Sequence, residues 1–392
     1  MSAQAPERRI YLDNAATSWP KPESVYVAVE QYQRENGAAA GRGIYREAVD
    51  VERRLAALRV ALRRMLNARD EDAIVFAGNG TDALNLALQG SLQDGDHVIT
   101  SVAEHNSVLR PLNELARRHH VDVTRVPVDG RGMVDPDDVA RAWRANSRMI
   151  CLTHASNVTG TIQPIEAVGQ IARNHDAFFL VDAAQTLGHL PIDVAKQSID
   201  LLAAPGHKGL LGPLGTGILY VRGAIANEVS AIRQGGTGTE SEREEQPDSL
   251  PEKFEAGNLN VPGLLGLAAG VEYIARQGIP TLRAHELQLV AELRSSLERF
   301  DELTVYGTTS LSDQVGVVSF SHPDWDPREL TAMLDASCRI QTRAGLHCAP
   351  AMHRALGTTK AGGTTRVSLG PFNQSADILA FGDVLSALLG AR

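Results

Sequence analysis

The sequence predicts an α/β protein built on a mainly parallel seven-stranded sheet, accompanied by a smaller α/β unit. Two observations carry that prediction. Between about residue 70 and residue 221, short apolar runs alternate with amphipathic stretches. Most of those runs are near-continuously apolar, as strands covered by helices on both faces are. Composition agrees with a folded chain. Of 392 residues, 43% are hydrophobic and 22% charged, close to globular averages, and the length suggests two or three domains.

The expected strands, in order, are AIVFAG (73–78), HVITS (97–101), DVTRVPV (122–128), MICLTH (149–154), FFLVD (178–182), DLLAA (200–204) and GILYV (217–221). Helical periodicity between them marks Thr81 to Gln89, Ser107 to His120 and Ile165 to His175. The last two strands are joined by a Gly/Pro-rich loop instead of a helix, which leaves room for one antiparallel strand. Gln234 to Leu250 is rich in Gly, Thr, Ser and Glu without periodicity, and reads as a long exposed loop. Helices are expected over Leu264 to Gln277, Leu282 to Phe300, Pro327 to Ser337 and Ala376 to Leu389. Strands are expected at 316–321 and 365–369.

Charge and cysteine content narrow the function. Lys plus Arg is 38 against 47 Asp plus Glu, a formal charge of −9. That balance argues against nucleic-acid binding as the main activity, since little would supply the counterion-release term. No apolar run approaches a membrane span, and Met1 to Arg9 lacks a secretory apolar core. The three cysteines, Cys151, Cys338 and Cys348, form neither a disulfide framework nor a metal-ligand spacing. A cytoplasmic protein with no membrane partner and no metal is expected.

Chemistry concentrates in a few segments. In APGHKGLLGPLGTG (204–217), Lys208 stands at the mouth of a buried strand, where desolvation would lower its pKa and suit it to Schiff-base formation. A solvated loop lysine is the competing reading. Asp182 ends the run FFLVD, one crossover and one strand earlier, so both side chains can reach the same sheet edge. Pyridoxal phosphate needs that pair, a lysine for its aldehyde and a carboxylate for its ring nitrogen. GNGTDALNLAL (78–88) is a strand-to-helix turn. Its amides at Gly80 and the Thr81 hydroxyl suit phosphate, whereas Asp82 suits it only if turned away. His105 follows a strand and can stack on a ring or relay protons, although a surface histidine is the commoner case. Cys348 lies in TRAGLHCAPAMH (342–353) between His347 and His353, a setting for a usable thiolate. Cys151 and Cys338 read as packing residues. Arg366, opening a strand in TTRVSLG, can clamp a carboxylate or make a structural ion pair.

Together these segments resemble the class V aminotransferase family of pyridoxal-phosphate enzymes, in its cysteine desulfurase and selenocysteine lyase branch. The motifs YLDNAAT, SNVTG, VDAAQ, GHKGLLGPLGTG, KFEAGN and RAGLHCAP stand in family order from Ile10 to Asn373. The resemblance implies a fold type I transferase and an obligate homodimer. It divides the chain into a large cofactor domain over 21–263 and a small domain over 1–20 and 264–392, which carries Cys348 and Arg366.

Carried over by motif, Lys208 resembles the Schiff-base lysine, Asp182 the partner of the ring nitrogen and Gln185 the donor to the ring hydroxyl. His105 resembles the ring-stacking histidine, while Thr81 and His207 resemble phosphate ligands. Asn157 and Arg366 resemble the carboxylate clamp, with Ala15 beside the substrate. Thr237 or Thr239 would lend a hydroxyl to the partner's phosphate, and Cys348 stands where the family has its sulfur-accepting nucleophile. Three positions depart from the family pattern. Leu346 replaces a histidine before the nucleophile, Pro205 replaces a serine, and Pro371-Phe372-Asn373 replaces a Tyr-Asn-Thr tail.

The implied activity converts L-cysteine to L-alanine, leaving sulfur on Cys348 as a persulfide for an acceptor protein. The short loop places the chain in the compact branch. Two alternatives stay open. One is a lyase acting on selenocysteine or another thio-amino acid, and the other is a non-catalytic sulfur carrier or scaffold.

Overall fold

The computed structural model describes residues 9–41 and 43–390. Most of the N-terminal stretch considered above, Met1 to Glu7 and Arg8, lies outside the described residues. The strands are β1 Ile10–Tyr11, β2 Ala73–Ala77, β3 His97–Ser101, β4 Asp122–Val126, β5 Ser147–Thr153, β6 Phe178–Asp182 and β7 Leu201–Pro205. They continue with β8 Gly217–Val221, β9 Thr304–Tyr306, β10 Val317–Ser321, β11 Ile340–Gln341, β12 Arg343–Gly345 and β13 Thr364–Ser368.

Seven of these form one sheet in the order β2-β8-β7-β6-β5-β3-β4. Strand β8 runs antiparallel to both β7 and β2, and the other neighbours pair parallel. The helix-free Gly/Pro connection between β7 and β8 is what permits the reversal, because a tight link cannot return a chain in the parallel sense. In β2, β3, β6, β7 and β8 every residue is buried. Alternate residues feed two cores. Ile74, Phe76, Phe179 and Leu202 face one cluster, while Val75, Leu180, Leu201 and Leu219 face the other. The edge strand β4 is only half covered, and it stops at Val126, two residues before the expected end.

Four helices escaped the reading of the sequence: Glu23–Gln31, Arg46–Met65 and the two short ones Pro136–Arg141 and Pro350–Ala355. The second buries Ala48, Val51, Leu55, Leu58 and Leu62, a clear helical stripe set among arginines. The segment 234–250 has no regular structure, as expected.

The second unit is an antiparallel sheet, β12-β13-β10-β9, packed on the helices Ile279–Leu297, Pro327–Cys338 and Ser375–Gly390 around Leu289, Leu293, Phe320, Leu334 and Phe381. The N-terminal segment joins it, since β1 pairs parallel with β11 and Asp13 bridges to Ser368. The helix Val261–Gln277 straddles the division drawn at 263/264. Its Leu264, Leu265, Leu267, Val271 and Ile274 are buried in the core of the large sheet, so the helix belongs with that sheet.

Candidate active site

Parallel strands deliver their C-terminal ends to one edge, and the loops beyond them build the site. Strands β5 and β6 end in register, Thr153 beside Asp182. The Asp182 carboxylate is buried and accepts the Ala184 N–H at 2.9 Å through Oδ1. Its Oδ2 carries no hydrogen bond among the described residues. Burial raises its pKa, while the Ala184 amide and the Lys208 charge oppose the rise.

Lys208 follows β7 after a tight turn in which Gly206 donates to the Thr216 carbonyl at 2.8 Å. A Cβ on Gly206 would stand 2.2 Å from Thr216 Oγ1, so only glycine fits there. Burial lowers the Lys208 amine to about 8, against a smaller upward pull from Asp182.

The helix Gly80–Ser91 begins beside this turn. Asn79 caps it by accepting the Asp82 N–H at 2.8 Å, and a Cβ on Gly80 would lie 3.0 Å from Pro205 Cδ. The Thr81 and Ser107 hydroxyls are 2.7 Å apart, and His105 Nδ1 accepts the Ser107 N–H at 3.1 Å. His105 therefore caps the helix Asn106–Arg118 while its ring faces the cavity. Burial first, then the Lys208 and Arg366 charges, bring its imidazole down to about 4, so it is neutral near pH 7.

Arg366, on β13, is buried. It donates from Nη2 to Asp13 Oδ1 at 2.8 Å and from Nη1 to the Asn157 carbonyl at 3.1 Å. The Asn157 side chain donates to the His347 carbonyl at 2.6 Å, and Asn106 N–H donates to the Cys348 carbonyl at 2.7 Å. These two bonds pin a loop whose His347 and Cys348 both have left-handed φ, 46° and 57°. Such a backbone costs roughly 1–2 kcal/mol per non-glycine residue. Cys348 is exposed, while Cys151 is fully buried and Cys338 partly so, as their positions suggested.

A cavity of about 240 Å³ collects these groups. Ala15, Gly80, Thr81, His105, Asn157, Asp182, Gln185, His207, Lys208, Cys348 and Arg366 all line it. Gln185 Nε2 donates to the Ala15 carbonyl at 3.2 Å, and Ala15 N–H donates to Ser368 Oγ at 2.9 Å, which fixes that wall between the two sheets.

Three expected residues stand elsewhere. Asp82 turns its carboxylate back to the Gly78 N–H at 2.8 Å and pairs with Arg233 at 3.2 Å, so it does not line the cavity. A carboxylate facing a phosphate site would be repelled, and the local cap resolves that conflict. Thr237 and Thr239 lie on the exposed loop, their hydroxyls 3.0 Å apart, away from this chain's cavity.

The sequence reading passed over Ser107, which also lines the cavity, and Asp13, which pairs with Arg366; Arg343 and His347, noted only as neighbours of Cys348, line the cavity too. Asp13 lies inside the motif YLDNAAT, and a buried arginine needs such a carboxylate. That need was the available signal.

The groups at the cavity fit pyridoxal phosphate. Among the described residues His207 Nδ1 is buried with no partner; it lines one cavity with the Thr81 and Ser107 hydroxyls and the N-terminus of a twelve-residue helix, a donor set for a phosphate. The free oxygen of Asp182 is an acceptor for a ring nitrogen, and the Lys208 amine is the only lysine amine on the cavity wall among the described residues.

The fold is that of the fold type I pyridoxal-phosphate enzymes, and the aminotransferase class-V family model matches residues 10–381; the chain belongs to that family. Within it the chain is 37% identical over 387 residues to a "probable cysteine desulfurase" of Methanothermobacter thermautotrophicus, covering 97% of this chain and 95% of that one. It is 32% identical over 361 residues to a cysteine desulfurase of Escherichia coli O157:H7, covering 88% and 87% of the two chains. Among solved structures, the apo cysteine desulfurase of Thermococcus onnurineus NA1 superposes with a TM-score of 0.90 at 33% identity, covering 98% of this chain and 95% of the other.

Proposed function

We propose that this protein is a pyridoxal-phosphate-dependent cysteine desulfurase that turns L-cysteine into L-alanine and keeps the sulfur on Cys348. The supporting observation is that an amine with lowered pKa, a buried carboxylate, a buried guanidinium and an exposed thiol line one cavity.

Bound there, the cofactor supplies an electron-poor ring that accommodates negative charge developing at the substrate Cα. Thr81, Ser107, His207 and the helix amides hold its phosphate, Asp182 its ring nitrogen and Gln185 its hydroxyl. Arg366, already oriented by Asp13 and Asn157, holds the substrate carboxylate. Lys208 is a base for the Cα proton, because an amine lowered to about 8 is partly neutral near physiological pH. His105, kept neutral, stacks and carries protons at the ring face. The Cys348 thiolate attacks the substrate sulfur. The new S–S bond forms as the substrate C–S bond breaks, and a proton delivered to Cβ completes alanine.

Two further readings go with this one. We infer a homodimer in which Thr237 or Thr239 reaches the partner's cavity, since both project from an exposed loop. Ile44, 99% exposed, and its neighbours Tyr45 and Val49 offer an apolar patch for a second copy. We also infer a cytoplasmic protein that serves an acceptor protein. All three thiols are free, which suits a reducing compartment, and the pinned Cys348 loop requires the acceptor to come to the sulfur. Among the described residues no helix is long and apolar enough to cross a membrane.

The test follows alanine and sulfide together from L-cysteine, in wild type and Cys348→Ala. Alanine made by wild type and lost in the variant is the expected result. Alanine and sulfide made equally by both would overturn the persulfide step. Failure of wild type on cysteine, with turnover of selenocysteine or another thio-amino acid, would move the substrate.

A further inference from the structure

Among the described residues Lys21 has no counter-ion: it is half-buried, and no carboxylate pairs with its amine. Its Nζ donates instead to the carbonyl of His207 at 2.8 Å and to Ser18 Oγ at 2.7 Å. Burying an ammonium away from carboxylates is unfavourable, and a methionine of similar length would pack there at lower cost. Burial alone lowers the amine to about 8. The lysine is therefore held at this position by neutral acceptors, a backbone carbonyl and a hydroxyl.

Its contacts point to the residue beside it in space. The His207 carbonyl also faces Ser18 N–H at 3.0 Å, Ser18 Oγ at 3.1 Å and Thr17 Oγ1 at 3.2 Å. A carbonyl oxygen has two lone pairs, so these donors exceed its capacity and the charged one dominates. Ser18 Oγ accepts from Lys21 and stands 3.0 Å from the carbonyl of Lys208, to which it donates. The two carbonyls flanking the Lys208 Cα are thus both held from one segment, 17–21, near the start of the sequence. That same segment continues from Asn14 and Ala15, which are bonded to Ser368 in the second unit.

We propose that Lys21 is a positioning residue for Lys208. Through the His207 carbonyl directly, and through Ser18 to the Lys208 carbonyl, it fixes the turn that aims the Lys208 amine into the cavity. The proposal rests on the reading of Lys208 as the reactive amine.

The experiment uses cofactor-free protein, competitively acetylated with trace acetic anhydride and quantified by peptide mass spectrometry. Lys196 and Lys360 serve as internal references. In Lys21→Met the turn loosens, water reaches Lys208 and its amine regains protonation. Labelling of Lys208 at pH 8, normalised to its labelling at a pH where the amine is neutral in both proteins, then falls, by about fivefold for each one-unit rise in pKa, while the references hold. Ser18→Ala, which removes one limb and keeps the charge, gives a smaller fall in the same direction and remains informative if Lys21→Met fails to fold. In loaded protein, Lys21→Met lowers kcat with KM little changed, because no substrate contact is lost. Unchanged Lys208 labelling in either folded variant overturns the proposal. Failure of wild type to act on cysteine would instead sink the desulfurase reading and leave the labelling comparison intact.

Discussion

The side-chain amide of Asn157 donates to the backbone carbonyl of His347 at 2.6 Å, tying the segment after β5 to the loop that presents Cys348. The carbonyl of the same Asn157 receives Arg366 Nη1 at 3.1 Å. One residue therefore connects the carboxylate clamp to the nucleophile, its side chain serving the loop and its backbone serving the clamp.

Asn157→Ala removes the first link and spares the second. The His347 carbonyl loses a buried donor, a cost of about 1–3 kcal/mol. Alkylation of Cys348 by iodoacetamide is expected to quicken as the loop loosens, and alanine formation to slow. Unaltered alkylation would show that the Asn106 bond to Cys348 holds the loop by itself.

Arg366→Ala leaves Asp13 without its close partner in a largely dry setting, with Arg343 3.9 Å away. Breaking such a pair costs about 3–5 kcal/mol. A lowered Tm in cofactor-free protein and a KM for cysteine raised by more than an order of magnitude are expected. Thermal melts and initial rates check both.

Stability should fall on acidification. Burial lowers His105, His154, His207 and His353 to about 4 and His347 to about 2. The unfolded chain takes up protons at these residues below about pH 6.5, and the folded chain does not, so unfolding gains favour as pH drops toward 4. Buried Glu104 acts oppositely. Held protonated up to about 8, it gives up stability as pH rises from about 4 toward 8. Five histidines outweigh it on the acid side, so Tm should decline from about pH 6.5 to about pH 4. A flat Tm profile over that range would show that those histidines are solvated.

Lys208 in cofactor-free protein should acylate with a midpoint near pH 8 instead of the ordinary lysine range. Asp182→Asn removes the charge that raises the Lys208 pKa and should move that midpoint lower. An unmoved midpoint would mean that the carboxylate does not reach Lys208 electrostatically.

Much of the large sheet was legible because its strands are buried on both faces. Burial on both faces writes continuous apolar runs such as FFLVD and GILYV into the sequence, and their order placed Asp182 and Lys208 near one edge. The boundaries of the second unit were harder. The helix Val261–Gln277 carries apolar residues all round, so nothing in its own pattern says which core it joins. Arg46–Met65 went unread because its apolar stripe is diluted by arginines facing water.

The sequence by itself determined which chemistry is present, an amine, a carboxylate, a guanidinium and a thiol in recognisable motifs, together with the βα rhythm that carries the first two. Tertiary structure alone decided which of these groups meet and in what state. Asp82 turns to its own helix cap while its neighbour Thr81 faces the cavity. Asp13 pairs with Arg366 across the whole length of the chain, and Lys21 reaches the carbonyl before Lys208. Hydrogen bonds and desolvation depend on distances through space, and residues hundreds of positions apart acquire those distances only when the chain folds.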